Sequence, residues 1–279
     1  MTTNDISPLT RVVTRVDRLR DGVDENAAIR TGFPSLDRAI GGGFRRGDLI
    51  VLGGDDGSGT SSLVLAMACR IRERTLVLTS EMRAEHAYER ALAMTARVSL
   101  DAVRSGVVNE EERAKLAAAA VTLRDSAPII DTMLDGGVDA VARAADASPA
   151  PAVIIVDGLE SLIAGEFRAQ PRNESLAHAV LQLKRLALLQ NVAVVLVSHL
   201  PALDRTRLDR RPHLVDFGVA GAVGTHADLV LGLYREELYD GDVGVSGATE
   251  LRLLKYRDGP LGYVDLYFYA QWMRFEDVV

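Results

Sequence analysis

The chain has 279 residues, of which 48% are hydrophobic and 25% charged, and its formal net charge at pH 7 is −7. This length allows one substantial core, so we expect one domain with a short N-terminal appendage. The acidic balance argues against a generally basic nucleic-acid binder, although basic groups can still line a small surface. The single cysteine excludes a disulfide within the chain. Because no long apolar run and no basic leader occur, we expect a cytoplasmic protein without a membrane partner.

The first predicted element is an amphipathic helix at residues 9–20. Apolar residues recur there at spacings of three and four, with charged residues between them. They are Leu9, Val12, Val13, Val16 and Leu19. We expect residues 1–29 to form a linker that contains this helix and residues 30–279 to form the main domain. The apolar stripe must be buried on its own domain or on a neighbour, and we favour a neighbour.

From residue 48 onward, short β-branched runs alternate with longer helical patterns. The predicted strands are 48–53, 75–80, 128–131, 152–157, 192–198, 228–234, 249–256 and 261–269. This alternation favours right-handed βαβ crossovers and therefore an α/β fold, with a mostly parallel twisted sheet covered by helices on both faces. The turn residues Arg257-Asp258-Gly259-Pro260 join the last two runs and predict an antiparallel C-terminal extension.

A glycine-rich segment, residues 53–61, follows the first predicted strand. It has the layout G-x-x-x-x-G-K-S/T of a phosphate-binding loop, in which backbone N–H groups and the start of the next helix surround a phosphate. Thr60 occupies the place of the lysine, and Ser61 holds the place of the metal-binding hydroxyl. The residues predicted to bind the nucleotide are Gly54, Gly57, Ser58, Gly59, Thr60, Ser61 and Ser62. The alternative is a strand-to-helix turn without a ligand.

Two acidic residues, Asp55 and Asp56, lie inside this loop. A carboxylate 4 Å from a phosphate is repelled by roughly 4 kcal/mol at an effective dielectric constant near 20. The sequence therefore predicts a loop with the shape of a nucleotide site and a reduced attraction for phosphate.

Two further carboxylates end predicted strands. Asp157 ends the run 152–157 in the form of a Walker B element, whose Asp holds Mg²⁺, although such a residue can also cap a helix. Glu81 follows the run 75–80, at the sheet edge where open α/β sheets bind ligands, so it can orient or deprotonate an attacking water. Its alternative role is that of an exposed acid at a helix start. ATP with Mg²⁺ is the predicted cofactor pair.

Basic residues near strand ends are further candidates. His199 ends the run 192–198 and is either a γ-phosphate sensor or a polar surface residue. Lys255 and Arg257 share one face of a strand, where they reach an anion across a subunit boundary or protect a sheet edge. A basic loop contains Arg205, Arg207, Arg210 and Arg211. Its side chains either contact nucleic-acid phosphate or form a charged run exposed to solvent.

Together these segments resemble the C-terminal RecA-type ATPase domain of the DnaB-type replicative DNA helicases. The matching segments are Thr31-Gly32-Phe33, Gly47-Asp48-Leu49-Ile50, Ser80-Glu81-Met82, Val156-Asp157, Ser198-His199-Leu200, Ala227-Asp228-Leu229, Tyr234-Arg235, Gly259-Pro260 and Gln271-Trp272. The resemblance implies a RecA-like core that follows a linker helix. It also implies a homo-oligomer, which is either a hexameric ring or a filament. It further implies ATP between neighbours, Glu81 as the catalytic glutamate that orients or deprotonates water, and Lys255 and Arg257 acting on the adjacent subunit's γ-phosphate.

The chain departs from the family pattern at two places. The family has a lysine at the position that Thr60 occupies in this chain. The family's DNA-contacting segment reads roughly D-L-R-E-S-G, and the corresponding segment here is Asp216-Phe217-Gly218-Val219-Ala220-Gly221. Without the arginine, contact with single-stranded DNA depends on backbone groups. We therefore predict a motor-type domain that binds nucleotide with weak or absent hydrolysis, alongside replication partners. The alternatives are an active DNA translocase that uses Lys255 and Arg257 in trans, and a non-catalytic scaffold or regulatory protein.

Overall fold

The computed structural model describes residues 7–20, 28–133, 136–163, 172–240 and 245–278. Within these ranges the helices are α1 (Pro8–Arg20), α2 (Pro34–Ala39), α3 (Thr60–Arg70), α4 (Ala84–Ala96), α5 (Leu100–Ser105), α6 (Glu110–Ser126), α7 (Gly137–Ala147), α8 (Arg172–Gln190) and α9 (Ala222–His226). The strands are β1 (Leu49–Gly54), β2 (Thr75–Thr79), β3 (Ile129–Thr132), β4 (Val153–Asp157), β5 (Ala193–Ser198), β6 (Leu229–Tyr234), β7 (Ala248–Tyr256), β8 (Gly262–Tyr269) and β9 (Arg274–Asp277).

The described strands form one sheet in the order β3-β2-β4-β5-β1-β6-β7-β8-β9. The first six strands in this order pair in parallel, and β7, β8 and β9 continue the sheet in antiparallel pairs. The predicted α/β fold is thereby confirmed, and the bounds of the eight predicted strands differ from the observed ones by at most one residue. The ninth strand was not predicted, because three of its four residues are charged and only Phe275 is buried.

The central strands are buried on both faces, which explains their continuous apolar runs. Along β1, Ile50 and Leu52 pack into one core cluster, whereas Leu49 and Val51 pack into the other. The first cluster includes residues of α3 and α4, and the second includes residues of α7, α8 and α9. Helices therefore cover both faces of the sheet, as the alternating pattern predicted.

Helix α1 confirms the predicted amphipathic helix and begins one residue earlier. Its apolar side chains are exposed, with exposed fractions of 72% for Leu9 and 56% for Val16. The rest of the predicted linker lies largely outside the described residues, as does the side chain of Leu19. Across the described ranges, no helix has the length and apolar character needed to cross a membrane.

A buried carboxylate, Asp228, joins three segments at the amino-terminal end of β6. It accepts hydrogen bonds from the Leu49 amide at 2.9 Å and from Lys184 Nζ at 2.5 Å, and it pairs with Arg257 Nε at 2.9 Å. Asp228 is 6% exposed, so these partners compensate a charge that water does not reach. The same lysine also donates to the Gly47 carbonyl at 2.7 Å.

Replacing this carboxylate tests its role in the fold. We expect Asp228→Asn to lower the free energy of unfolding by about 3 kcal/mol, because the change leaves the Lys184 side chain, which is only 16% exposed, without its counter-charge. Asp258→Asn is the matched control, since Asp258 forms a half-exposed pair with Arg45 at 3.9 Å and is expected to cost under about 1 kcal/mol. Urea unfolding measures both values, and equal losses would contradict the assignment.

Candidate functional site

The phosphate-loop segment runs from the end of β1 at Gly54 to the start of α3 at Thr60. Gly57 and Gly59 have φ angles of +78° and +98°, which favour glycine over residues with a Cβ. At Gly54 an added Cβ would lie 2.3 Å from Ser58 Oγ, so the loop folds tightly back on the strand end. The N-cap of α3 has no side-chain hydrogen bond. The first amide groups of α3 are therefore free of a capping side chain, as an anion site at a helix N-terminus requires.

A cleft of about 240 Å³ lies beside this loop, at the carboxyl ends of β2, β4 and β5. Its lining residues are Thr60, Ser61, Glu81, Met82, Arg90, Asp157, Gly158, Glu160, Val197 and His199. The fold thus brings five of the predicted site residues together from separate parts of the chain. They lie where open α/β sheets bind their ligands.

Ser61 and Asp157 are in direct contact in this cleft. The Ser61 hydroxyl donates to Asp157 Oδ1 at 3.1 Å, and Asp157 is 5% exposed. Burial raises the pKa of Asp157 to about 6, and the charge of Glu81 adds to this effect. Ser61, Arg90 and His199 oppose it. The folded chain thus retains a carboxylate whose ionised form it stabilises poorly.

This hydroxyl–carboxylate pair fits the oxygen ligands that Mg²⁺ prefers. The described residues contain no group of three or more His, Cys, Asp or Glu side chains that could hold a metal ion. Mg²⁺ is commonly bound by one or two carboxylates together with the phosphates of a substrate. Ser61 and Asp157 are therefore the residues that would hold Mg²⁺ when a nucleotide is bound.

Glu81 and His199 line the cleft from the ends of β2 and β5, which flank β4 on either side. Glu81 is exposed, and its amide donates to Thr79 Oγ1 at 3.2 Å. His199 Nδ1 lies 3.3 Å from Asp56 Oδ1, and the two side chains are 55% and 79% exposed. Both residues are thus accessible to a ligand in the cleft, and their predicted catalytic and sensor roles stay predictions.

Asp55 has partners that its position in the loop did not indicate. It accepts from Arg205 Nη2 at 2.5 Å and from the Tyr239 hydroxyl at 3.1 Å, and its side chain is 11% exposed. Burial acts to raise the pKa of Asp55, but the hydrogen bond from Arg205 and the other donors outweigh it and lower the pKa. Asp55 is therefore an ionised residue whose charge is compensated within the chain. The repulsion predicted between the loop and a phosphate did not include this compensation.

The predicted basic loop is largely paired with carboxylates. Arg207 donates to both oxygens of the buried Asp216, at 2.8 and 2.7 Å, and Arg211 pairs with Glu250 at 2.6 Å. The Arg210 guanidinium lies over the Tyr239 ring at 5.3 Å. These contacts, with that of Arg205 to Asp55, favour an intramolecular role for the loop over an open phosphate-binding patch.

Lys255 and Arg257 lie at the other end of the sheet. Lys255 Nζ donates to the carbonyl oxygens of Gly224 and Ala227 at 2.8 and 2.5 Å, and Arg257 pairs with Asp228. Residue 255 pairs with Val230 near the amino-terminal end of β6. One strand of six residues spans about 20 Å, so these two residues do not belong to their own chain's cleft. Their predicted action on a neighbour's γ-phosphate stays a prediction.

Sequence reasoning assigned no site role to three residues, Arg90, Glu160 and Arg235, although Arg235 lies in one of the matching segments. Arg90 and Glu160 line the cleft, and Arg235 Nη1 donates to the Gly57 carbonyl at 3.2 Å. One signal was available for Arg90. It follows Ala87 by three residues and precedes Met94 by four, on the buried side of α4, so a charge at that position indicates an inward role.

The parallel sheet, the glycine loop before α3 and the Ser61–Asp157 contact are the features of a RecA-like α/β domain. A family model described as the DnaB-like helicase C terminal domain matches residues 28–277, and the chain belongs to that family.

Known relatives agree with this assignment. The chain is 28% identical over 275 residues to the replicative DNA helicase DnaC of Bacillus subtilis (strain 168), covering 96% of this chain and 60% of that protein. It is 29% identical over 264 residues to the replicative DNA helicase DnaB of Geobacillus stearothermophilus, covering 92% of this chain and 57% of that protein. The chain thus spans about 60% of the length of these curated relatives.

Solved structures show the same fold. A solved chain described as an ATPase domain superposes with a TM-score of 0.88 at 22% identity, covering 99% of this chain and all of that one. A DnaB-like replicative helicase, studied with its interactions with primase, gives a TM-score of 0.86 at 21% identity, covering 99% of this chain and 68% of that one.

The raised pKa of Asp157 predicts a pH-dependent stability. The pKa of Asp157 is about 6 in the folded chain and 3.8 in the unfolded chain, so the folded chain binds the proton more tightly. The stability that the protonated residue contributes at low pH is therefore lost as the pH rises from about 3.8 to about 6. Above pH 6 the ionised residue costs the fold about 3 kcal/mol. We therefore expect Asp157→Asn to stabilise the nucleotide-free chain at pH 8 by about 2 kcal/mol and to give little gain at pH 4.

Urea unfolding of both forms at several pH values measures this difference. Asp131→Asn is the control, because Asp131 is an exposed carboxylate in β3 and its replacement is expected to change the stability little. A loss of stability in Asp157→Asn at pH 8 would contradict the assignment.

Proposed function

We propose that this chain is a motor-type ATPase domain of the DnaB helicase class that binds Mg²⁺-nucleotide within an oligomeric ring and hydrolyses it slowly or not at all. One observation carries the proposal: the loop backbone, the start of α3 and the Ser61–Asp157 contact have the form of a nucleotide site, while Thr60 occupies the lysine position. The site offers backbone N–H groups to a phosphate but lacks the cation that reaches its terminal oxygens.

Slow hydrolysis follows from the charge balance. Phosphoryl transfer depends on positioning and on stabilising the charge of the transition state. In other enzymes, removing one preorganised donor from an oxyanion hole costs about 10² to 10³ in rate, which gives the scale of such a loss. Arg205 does not fill the gap, because Asp55 and the nearby Asp56, at 3.8 Å, already engage it.

Two features support assembly into a ring with sites between neighbours. The apolar stripe of α1 is exposed: the exposed fractions are 47% for Val12 and 53% for Val13, and Leu9 and Val16 are more exposed still. Lys255 and Arg257 lie at the sheet end opposite the cleft, so a head-to-tail arrangement would bring them toward a neighbour's nucleotide. A six-membered ring fits the helicase family, and a filament is the open form of the same contact.

The proposed interaction with single-stranded DNA is weak. The segment 216–221 contains no basic side chain, and its Asp216 is buried in a pair with Arg207. Phosphate contacts supply most of the affinity of proteins for nucleic acid, so their loss from this segment lowers binding. The curated relatives named above are replicative helicases, and we place this chain, with replication partners, in the same process.

An active translocase is the second candidate. Glu81 faces the cleft, and Lys255 and Arg257 are available to a neighbour, so a ring could obtain in trans the charge that Thr60 does not supply. A chain that binds no nucleotide would instead be a scaffold.

Nucleotide titration separates these three functions. Fluorescent ATP and ADP are titrated with Mg²⁺, and phosphate release is then followed with and without single-stranded DNA. We expect measurable binding of both nucleotides and little DNA-stimulated turnover. Rapid DNA-stimulated release would overturn the proposal in favour of the translocase, and undetectable binding of either nucleotide would overturn it in favour of the scaffold.

Restoring the lysine tests the stated cause. Thr60→Lys places an ammonium group beside the terminal phosphates, so we expect the affinity for ATP to rise by about tenfold or more, with a smaller change for AMP. Thr60→Ser keeps a hydroxyl and no charge, and serves as the matched control with unchanged affinity. Equal ATP affinities of Thr60→Lys and wild type would show that the missing cation does not limit binding.

A further inference from the structure

The two basic residues proposed to act on a neighbouring subunit differ in how far their own chain uses them. The ammonium group of Lys255 donates to the carbonyl oxygens of Gly224 and Ala227, at 2.8 and 2.5 Å, at the carboxyl end of α9. A cation at this end of a helix satisfies its last carbonyl groups and is attracted by the helix dipole. Lys255 therefore has a structural task within its own chain.

The side chain of Arg257 is more accessible. It is 54% exposed, and its Nε lies 2.9 Å from Asp228 Oδ1. Within the described part of the chain, neither of its two Nη groups makes a hydrogen bond. A guanidinium carries its N–H donors in a fixed, planar fork. With Nε engaged, the donors of both Nη groups are open to a ligand from outside the chain.

Asp228 holds this guanidinium from a fixed position. Its second oxygen, Oδ2, accepts hydrogen bonds from the Leu49 amide at 2.9 Å and from Lys184 Nζ at 2.5 Å. The main chains are also joined, since the Arg257 amide donates to the Asp228 carbonyl at 2.9 Å. The two carboxylate oxygens thus have separate tasks. One is bound to the start of β1 and to α8, and the other orients Arg257.

The contact with Asp228 does not cancel the positive charge at this end of the sheet, because Lys184 already compensates the carboxylate. The charged side chains grouped around Asp228 are the cations Arg45, Lys184, Lys255 and Arg257 and the carboxylates Asp48, Asp228 and Asp258. With every carboxylate ionised, four cations face three anions, so one positive charge is in excess. Such a group attracts a phosphate.

We propose that Asp228 is a positioning residue for the neighbouring subunit's nucleotide. It fixes the guanidinium of Arg257 so that the Nη groups are presented to the terminal phosphate of a nucleoside triphosphate bound by the next copy of the chain. An arginine that is already held in place loses less conformational freedom on binding than a mobile one. The inference rests on the proposed ring with nucleotide sites between neighbours, and adds the residue that orients the cation.

Two other roles of the same contact predict different results. If Asp228 only stabilises the fold, its replacement weakens the binding of every nucleotide by the same factor. If Asp228 withholds Arg257 from the neighbour, its replacement strengthens the binding of ATP. A positioning role alone predicts a loss that is specific for the terminal phosphate.

The ratio of ATP to ADP affinity in the assembled protein measures this specificity. Mg²⁺-ATP and Mg²⁺-ADP are titrated at a protein concentration at which the oligomer forms. Arg257→Ala is expected to lower the ratio by about tenfold or more, because the terminal phosphate loses charge-assisted donors. Asp228→Asn is expected to lower it by about threefold to tenfold. Combining the two changes should give no further loss than Arg257→Ala alone, since Asp228 acts through Arg257.

Two more variants complete the series. Asp258→Asn is the matched control, because Asp258 is a carboxylate of the same hairpin whose half-exposed pair is with Arg45, and the ratio should not change. Asp228→Glu keeps the charge and displaces it by one methylene, so it should lower the ratio less than Asp228→Asn. It also provides a second measurement if Asp228→Asn does not fold.

Dilution separates an effect between subunits from an effect within one subunit. Below the assembly concentration, wild type and Asp228→Asn should have the same ratio, because Arg257 then has no neighbour's nucleotide to contact. The titrations are made where circular dichroism shows that each variant is folded, since Asp228→Asn is expected to be less stable. Equal losses for ATP and ADP, or a higher affinity of Asp228→Asn for ATP, would overturn the proposal.

The outcomes distinguish this proposal from the proposed function. If the wild-type chain binds no nucleotide or does not assemble, both are wrong. If Arg257→Ala lowers the ratio and Asp228→Asn leaves it at the wild-type value, the site between neighbours stands and only the role of Asp228 is wrong. If neither variant changes the ratio in a wild-type-like oligomer, nucleotide binding stands without a contribution from the neighbour.

Discussion

The hydrogen bond between Ser61 and Asp157 joins the two halves of the site. It connects the first turn of α3 to the end of β4, two segments 96 residues apart, at 3.1 Å. To form it, the loop must turn through Gly57 and Gly59 at positive φ, and β4 must end beside β5 and β2 in the parallel sheet. The contact is costly because Asp157 is buried, and sites that bind ligands often retain such costs.

Around this contact, the chain compensates most charges internally. Asp55 is held by Arg205 and Tyr239, and Asp228 by Lys184 and Arg257. The phosphate loop is consequently less repulsive than its two acidic residues suggest, but no lysine extends from it. What the loop offers an anion is its backbone and the end of a helix dipole.

Much of the fold could be predicted because the signals are local. The bounds of the five fully buried strands follow from apolar runs of five or six residues, and the loop follows from glycine spacing. Strand β9 could not be predicted, since three of its four residues are charged and only Phe275 is buried. The pair of Arg205 with Asp55 joins residues 150 positions apart, and only the packing of the loop after β5 brings them together. Arg90 depends likewise on which face of α4 meets the cleft.

The central claim is that the loop binds triphosphate through backbone N–H groups without a lysine. A crystal structure with Mg²⁺ and a non-hydrolysable ATP analogue tests it most directly. We expect the phosphates to lie against the amides of residues 57–62 and the metal to lie beside Ser61 and Asp157. A loop that stays free of nucleotide at saturating concentration, or a nucleotide bound away from the amides of residues 57–62, would contradict it.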